Sequence, residues 1–115
     1  MLPNRIAISQ KATDKLRYIK SKTGLTPNVL ARIAIMLTIR EGNKLDNAGV
    51  NDLDGQVLSR DVLFGDHQNS YSILIKQYTT DNRIETPIAE TVAAMIEVGV
   101  FKMGHVKSLV DLTKL

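Results

Sequence analysis

The stretch from Thr26 to Gly42 constrains the fold most, because it predicts a helix that is apolar on nearly every side. Thr26-Pro27 is a strong helix start, since threonine accepts a hydrogen bond from a free amide and proline fits the first helical position. The helix should run to Arg40 or Glu41 and end at Gly42. Its apolar side chains surround nearly the whole axis: Val29, Leu30, Ala31, Ile33, Ala34, Ile35, Met36, Leu37 and Ile39. A chain of 115 residues can hardly bury such a helix alone, so we expect part of it to face another copy of the protein.

A short strand and a first helix precede this segment. Residues 4–8 alternate in character, which is typical of a strand with two isoleucines on one side. Ser9 can cap a helix that runs to Ser21 or Lys22, and Gly24 can terminate it. The apolar stripe of this helix is narrow and consists of Ala12, Leu16, Ile19 and Thr23.

Loop and extended segments are predicted after the second helix. Residues 42–60 are rich in Gly, Asn and Asp and should form a loop. Val62–Phe64 and Tyr71–Tyr78 are predicted as extended pieces about a turn at residues 65–70, with a helix in the second piece as the alternative. The residues expected to fix the loop to the core are Leu53, Val57 and Leu58.

The C-terminal part predicts two further helices. Thr86-Pro87 repeats the helix start, and this helix should end near Met103-Gly104. Residues 106–115 can add a short terminal helix. We therefore expect residues 1–115 to form a single, mainly α domain: a compact ribbon-helix-helix-like fold with a short N-terminal strand, a possible small β-hairpin and C-terminal helices.

Charge is distributed unevenly along the chain. The net charge is +3, but residues 1–44 carry nine basic and two acidic groups, whereas residues 45–115 carry six basic and ten acidic groups. The basic residues of the first part are Arg5, Lys11, Lys15, Arg17, Lys20, Lys22, Arg32, Arg40 and Lys44. A basic half beside an acidic half favours a polyanion partner for one side of the molecule, the alternative being a charge-mixed solvated surface.

The first helix concentrates part of this charge in one row. Projected about the helix axis, three lysines form a ridge about 40° wide beside the apolar stripe and near Tyr18: Lys11, Lys15 and Lys22. Asp14 gives local relief from their repulsion, and Arg17 and Lys20 lie on the far flank. Lysines act as point charges toward phosphate and read no sequence. We expect these five basic residues to contact a nucleic-acid backbone, unless the face only serves solubility.

The order of strand, helix and buried helix is the signature of a ribbon-helix-helix element, in which two copies pair their strands into a ribbon that enters the major groove. Sequence-specific proteins of this type present long polar side chains on that ribbon. Here the outward set is Arg5, Ala7 and Ser9, and Ala7 can neither donate to nor accept from a base. The strand is expected to serve assembly more than sequence reading, or else only to fill the core.

Several classes of chemistry are disfavoured by the composition. Without cysteine the chain offers no disulfide, no thiolate ligand for zinc or an iron–sulfur cluster, and no persulfide. Asp52 and Asp54 match the start of a calcium loop, but the rest of that spacing fails. His67 and His105 have no neighbouring ligand or nucleophile in sequence. We expect no cofactor, no metal and no enzymatic activity.

Neither export nor membrane insertion is expected. No apolar run approaches the roughly 18 residues of a membrane span. The N-terminus has no basic-then-apolar leader. These features favour a cytoplasmic protein.

The residues also resemble a known family. Residues 4–9, the basic helix through Lys22, the junction over residues 24–28 and the Ala31-Arg32-Ile33-Ala34 stretch are similar to the DndE family of DNA sulfur modification proteins. The resemblance covers essentially the whole chain, including residues 86–90. It implies a role in bacterial DNA phosphorothioation, in which sulfur replaces a non-bridging phosphate oxygen and other components carry out the sulfur chemistry. It further implies a homotetramer that binds duplex DNA, with nicked duplex as a candidate form.

The leading hypothesis is a non-enzymatic DNA-binding subunit of this system, with double-stranded DNA, further copies of itself and other DNA sulfur modification proteins as partners. Two alternatives stay open. One is a sequence-specific ribbon-helix-helix transcription regulator. The other is an adaptor that joins proteins through the acidic C-terminal half and does not touch DNA.

Overall fold

The structure, a computed structural model, describes residues 2–42, 45 and 52–115. The elements in these ranges are β1 (Arg5–Ala7), α1 (Gln10–Thr23), α2 (Pro27–Glu41), β2 (Val57–Ser59), α3 (Arg60–Phe64), a 3-10 turn (Gly65–His67), α4 (Gln68–Asp81), α5 (Ile88–Lys102) and α6 (Leu109–Thr113). The fold is mainly helical, as predicted. Of the loop predicted over residues 42–60, residues 43–44 and 46–51 lie outside the described residues. The prediction is wrong over residues 57–60, where β2 and the start of α3 replace the loop.

Helix α1 begins and ends where the sequence indicates. The Ser9 hydroxyl accepts a hydrogen bond from the Ala12 amide at 3.0 Å and so caps the first turn. Gly24 closes the helix in the left-handed conformation, with φ of 78°, and its amide donates to the Lys20 carbonyl. The buried side chains of α1 are Ala12, Thr13, Leu16 and Ile19. The predicted stripe therefore faces the core, although Thr23 at its end is only half-buried.

Helix α2 is the centre of the core and packs mainly against α5, with α1, α3 and α4 on other sides. The two helices approach closely at Gly99, where a Cβ would overlap the backbone of Ala34. The buried Thr38 hydroxyl also donates to the Met95 carbonyl at 2.7 Å. The single chain thus covers most of a helix that we expected it could not cover alone. The exception is a strip on which Met36 is 41% exposed.

The beginnings of α2 and α5, near Thr26 and Thr86, differ in detail from the prediction. Thr26 occupies the position before Pro27, but its hydroxyl makes no capping hydrogen bond. Helix α5 begins one residue later than expected, after Pro87, and the Thr86 hydroxyl hydrogen-bonds the Thr91 hydroxyl at 2.7 Å. In both helices the fixed φ of proline, rather than a threonine cap, marks the start. The predicted end of α5 at Met103 is confirmed.

The N-terminal strand pairs within the chain. β1 and β2 form a two-stranded antiparallel sheet with Ile6 opposite Leu58, and both side chains are buried. Ser9 is buried as well, so the expectation that it points outward with Arg5 is wrong. The capping geometry explains this, because the Ser9 hydroxyl must turn back over the first turn of α1. Of the three residues expected to fix the loop, Leu58 enters the core, whereas Leu53 and Val57 stay exposed.

The predicted hairpin between residues 62 and 78 is wrong, because both extended pieces are helical. Ser59 caps α3 by accepting from the Val62 amide. In α4, Tyr71, Ile75 and Tyr78 follow one another at helical spacing and face the core. β-Branched and aromatic residues favour strands only weakly, and burial of this helical stripe overrides that preference. The alternative of a helix in the second piece is confirmed.

The C-terminal residues form the expected short helix, α6, which is capped by Ser108. The Arg40 guanidinium donates to the Leu115 carbonyl at 3.1 Å and ties the end of the chain to α2. None of the helices in the described ranges has the length and apolar character needed to cross a membrane.

Candidate nucleic-acid interface

The position of α1 is fixed by polar contacts at its N-terminus. The Ser9 hydroxyl donates to the buried Glu97 carboxylate of α5 at 2.7 Å while it accepts from the amide of Ala12. The Asp52 carboxylate accepts from the amides of Gln10 at 3.0 Å and Asp54 at 2.9 Å. Of the two loop aspartates, Asp52 thus caps the first turn of α1, and Asp54 contributes only its backbone amide. These bonds hold the first turn of α1 against α5 and the loop.

Glu97 is an unusual member of this cluster, because its side chain is only 2% exposed. Burial raises the pKa of Glu97, and the negative charge of Asp52 adds to that effect. The Ser9 hydrogen bond and the positive charge of Lys11 lower the pKa in the opposite sense. Among the described residues, the polar groups that act on Glu97 therefore come from both α1 and the loop.

The next turns of α1 carry the predicted ridge. Lys11 and Lys15 line one shallow pocket of about 400 Å³ together with Asp14, Tyr18 and Gly104. Lys15 is half-buried, with its ammonium beside Gly104, just beyond the C-terminal end of α5. The carbonyl groups at a helix C-terminus favour a cation at that position. The pocket, which we call the ridge pocket, therefore presents two ammonium groups on one surface.

Two ridge lysines lie over aromatic rings. The Lys11 ammonium is 4.5 Å from the centroid of the Phe101 ring, and the Lys22 ammonium is 5.5 Å from that of Tyr18. Both distances are within the range of a cation–π interaction. Because Tyr18 lines the ridge pocket, Lys22 lies next to the same surface as Lys11 and Lys15. The structure thus brings the three predicted lysines together along one side of α1.

The two flanking basic residues are less closely associated with the pocket. Arg17 lies 4.0 Å from the Asp14 carboxylate, and both side chains are mostly exposed, so this ion pair is weak. Asp14 also accepts from the Gln10 side chain at 2.9 Å. Lys20 is exposed and makes no ion pair with any of the residues that the structure describes. Among the described residues, Asp14 is the one acidic group that lines the ridge pocket.

A second surface lies along the uncovered strip of α2. It forms an apolar groove of about 720 Å³ between α2 and the C-terminal residues, which we call the α2 groove. Arg32 and Arg40 also line it. Tyr71 borders the groove, and burial raises the pKa of its phenol while the charge of Arg32 lowers it. The other lining residues include Val29, Ile33, Met36, Leu109 and Leu112.

The sequence and the fold are both similar to known proteins. The family model described as "DNA sulphur modification protein DndE" matches residues 5–111, which is most of the chain. The chain belongs to the DndE family. This membership makes it a component of the bacterial DNA phosphorothioation system, as the resemblance over essentially the whole chain implies.

Solved DndE structures share the fold. DndE from Escherichia coli B7A, involved in DNA phosphorothioation modification, is 28% identical, with a TM-score of 0.74. A DndE mutant with glycine-to-lysine substitutions, involved in DNA phosphorothioation, is 25% identical, with a TM-score of 0.71. Each alignment covers 90% of this chain and 99% of the other. A search of curated protein sequences gave no significant match.

For this DndE-family chain, the sequence identified the basic side of α1 but not what lies next to it. Phe101 and Gly104 belong to α5 and its C-terminal end, roughly 90 residues further along the chain. In the sequence, Phe101 is only an aromatic residue in the last turn of a predicted helix. That position alone does not indicate a role at the surface. Among the residues that the structure describes, no group of three or more acidic or histidine side chains is placed to hold a metal ion.

Proposed function

We propose that this DndE-family chain is a non-enzymatic DNA-binding subunit of the phosphorothioation machinery. Lys11, Lys15 and Lys22 would hold phosphates of the DNA backbone, and Arg17 and Lys20 would add longer-range attraction. The observation that carries the proposal is the convergence of Lys11 and Lys15 on the ridge pocket with Lys22 beside it. The sulfur chemistry would belong to other components, in keeping with a chain that has no cysteine.

The ridge lysines are better suited to binding DNA phosphates than to recognising particular bases. The three ammonium groups follow one side of a helix, with about 6 Å between Lys11 and Lys15 along the axis and about 10 Å between Lys15 and Lys22. Ammonium groups bind phosphate without a fixed geometry, so the expected affinity depends on salt and not on base sequence. Arg5 is exposed on β1, but Ala7 beside it offers no hydrogen-bonding group to a base.

The test is the salt dependence of duplex binding. We would change the three lysines together to glutamine, because a glutamate at Lys15 would face the negative end of α5 and could destabilise the fold. If each lysine holds one phosphate, the log–log salt slope becomes smaller by about 2.7, since each contact contributes about 0.9. The matched control removes the same charge elsewhere, on α4, the turn after it and the end of α6: Lys76→Gln, Arg83→Gln and Lys114→Gln.

The same titration separates the alternatives. An unchanged slope and affinity in the ridge variant would contradict the proposal. Protection of one operator sequence that is lost with Arg5→Ala would instead favour the ribbon-helix-helix regulator. Failure of the wild-type protein to bind any DNA at low salt would favour the adaptor. Parallel titrations with intact and nicked duplex test the preference for nicked DNA that the family resemblance implied.

Self-association is the second part of the proposal. The α2 groove leaves Met36 41% exposed beside apolar neighbours, and an apolar surface of this kind favours a protein interface. We expect a homo-oligomer, with the four copies that the family resemblance implies, and this assembly would multiply the lysine surface. The ribbon-helix-helix-like assembly would require a second copy on the edge of β1 that faces away from β2, since β1 already pairs with β2 in its own chain.

Mass measurement in solution tests this part. Met36→Lys should lower the mass toward that of a single chain, because a third cation beside Arg32 and Arg40 would be costly to bury. Ile73→Lys on α4 is the matched control, since Ile73 is 68% exposed and does not line the groove. An unchanged oligomer in the Met36 variant would exclude the groove as its interface. We place the assembled protein in the cytoplasm, where the other sulfur modification proteins would contact it.

A further inference from the structure

The aromatic residues of the chain are divided between the core and the lysine ridge. The sequence has three tyrosines and two phenylalanines. Phe64, Tyr71 and Tyr78 belong to the core or pack against it. Tyr18 and Phe101 are 44% and 41% exposed, and each carries a ridge lysine over its ring. Both exposed aromatic rings therefore lie on the surface that we assign to DNA.

Neither ring belongs to the hydrophobic core or to the partly buried residues packed against it. A partly exposed ring beneath an ammonium group gains only about 0.5–1 kcal/mol from the cation–π interaction. A phosphate competes for the same ammonium with full negative charge and oxygen acceptors. When a phosphate binds the Lys11 or Lys22 ammonium and draws it off the ring, the face of that ring becomes available to another planar or cationic group.

A positively charged surface with interleaved aromatic rings is what binds single-stranded nucleic acid, because every base has a π-face that can stack on a ring. Paired bases inside an intact duplex cannot reach such rings. We propose that the ridge binds unpaired nucleotides: Lys11 and Lys22 hold their phosphates, and the bases stack on the Phe101 and Tyr18 rings that these ammonium groups leave. This inference rests on the proposed DNA binding and names the form of DNA that this surface accommodates.

The dimensions of the surface suit a short run of nucleotides. Lys11 and Tyr18 are separated by about 10 Å along α1, and the ridge pocket of about 400 Å³ lies between them with the Lys15 ammonium in its wall. Asp14 faces the same pocket and opposes a phosphate there, although Arg17 partly offsets its charge. Two stacking positions with a cationic pocket between them therefore form a continuous track along α1.

The experiment compares a single-stranded oligothymidine with an intact duplex of the same length, by fluorescence anisotropy at low salt. The double variant Tyr18→Leu, Phe101→Leu keeps apolar bulk but removes both rings. We expect its affinity for the single strand, relative to duplex, to fall about 25-fold or more, since two stacking contacts are lost and each costs about fivefold or more. The rescue variant Tyr18→Phe, Phe101→Tyr keeps both rings and should restore the ratio. Ile73→Ala, far from the ridge in sequence and exposed, is the surface control.

A different change in single-strand affinity is expected if the rings do not stack on bases. If the rings only hold the lysines, removing them frees two ammonium groups, and single-strand binding stays the same or strengthens. Either outcome would overturn the stacking inference while leaving backbone binding by the lysines intact. Loss of the proposed function itself would appear separately, as wild-type protein that binds neither DNA, or as a glutamine ridge variant with an unchanged salt slope. Circular dichroism of each variant verifies the fold.

Discussion

Ser9 offers the sharpest test of how α1 is held in place, because its hydroxyl has two roles at once. It accepts from the Ala12 amide as the N-cap and donates to the buried Glu97 carboxylate at 2.7 Å. In Ser9→Ala both bonds are lost. Loss of an N-cap costs about 1 kcal/mol, and a buried acceptor left without its donor costs about 1–3 kcal/mol. We therefore expect the free energy of unfolding to fall by roughly 2–4 kcal/mol.

Urea unfolding at two pH values measures this effect. For a domain of this size the loss corresponds to a decrease in Tm of roughly 8–16 °C. The Ser9 hydrogen bond lowers the pKa of Glu97, so it stabilises the ionised carboxylate more than the neutral acid. The cost of Ser9→Ala should consequently be larger at pH 8 than at pH 5.

Ser108→Ala is the matched control. Ser108 caps α6 by accepting from the Asp111 amide at 3.1 Å, but it has no buried carboxylate as a partner. Its loss should cost about 1 kcal/mol or less, with little change between the two pH values. If Ser9→Ala costs no more than Ser108→Ala at either pH, the coupling of α1 to α5 through Glu97 is refuted.

Three further outcomes follow from the same contacts. Gly99→Ala should destabilise the fold by about 3 kcal/mol in urea unfolding, because its Cβ would overlap the Ala34 backbone; a loss below about 1 kcal/mol would contradict the close helix packing. Burial raises the pKa of Glu97 in the folded state, so the folded protein binds the Glu97 proton more tightly than the unfolded chain does. The free energy of unfolding should therefore fall as the pH rises through that raised pKa. Glu97→Gln should flatten this decline, and an unchanged pH profile in the variant would contradict the role of Glu97. Asp14→Asn removes the acid of the ridge pocket and should strengthen duplex binding at low salt, whereas unchanged affinity would place the phosphates elsewhere.

Local signals in the sequence were sufficient for several elements. Ser9 and Gly24 mark the two ends of α1, and Pro27 and Gly42 mark those of α2. These ends are predictable because caps and special backbone angles act within one turn of the chain. The lysine ridge follows from the same helical period. The position of Lys11, Lys15 and Lys22 along one side of α1 was therefore predictable from the sequence, and their contact with DNA stays a prediction.

Segments whose conformation depends on distant partners were not predictable in the same way. Val57–Ser59 forms a strand only because residues 5–7 pair with it, and Leu58 is buried in consequence. Residues 71–78 have strand-like composition but form a helix, because Tyr71, Ile75 and Tyr78 can share one buried face. In both cases the long-range contact outweighs a local preference worth about 1 kcal/mol or less.

The sequence by itself determined that α2 must be buried on most sides and that α1 carries a row of lysines, since both follow from residue type and helical period. Only the tertiary structure decided that α5 covers α2 at Gly99, and that Phe101 and Gly104 come to lie beside the ridge. It also placed Glu97 under the cap of α1. These contacts join residues some 65 to 90 positions apart. No periodic pattern spans such distances, so packing alone brings the groups together.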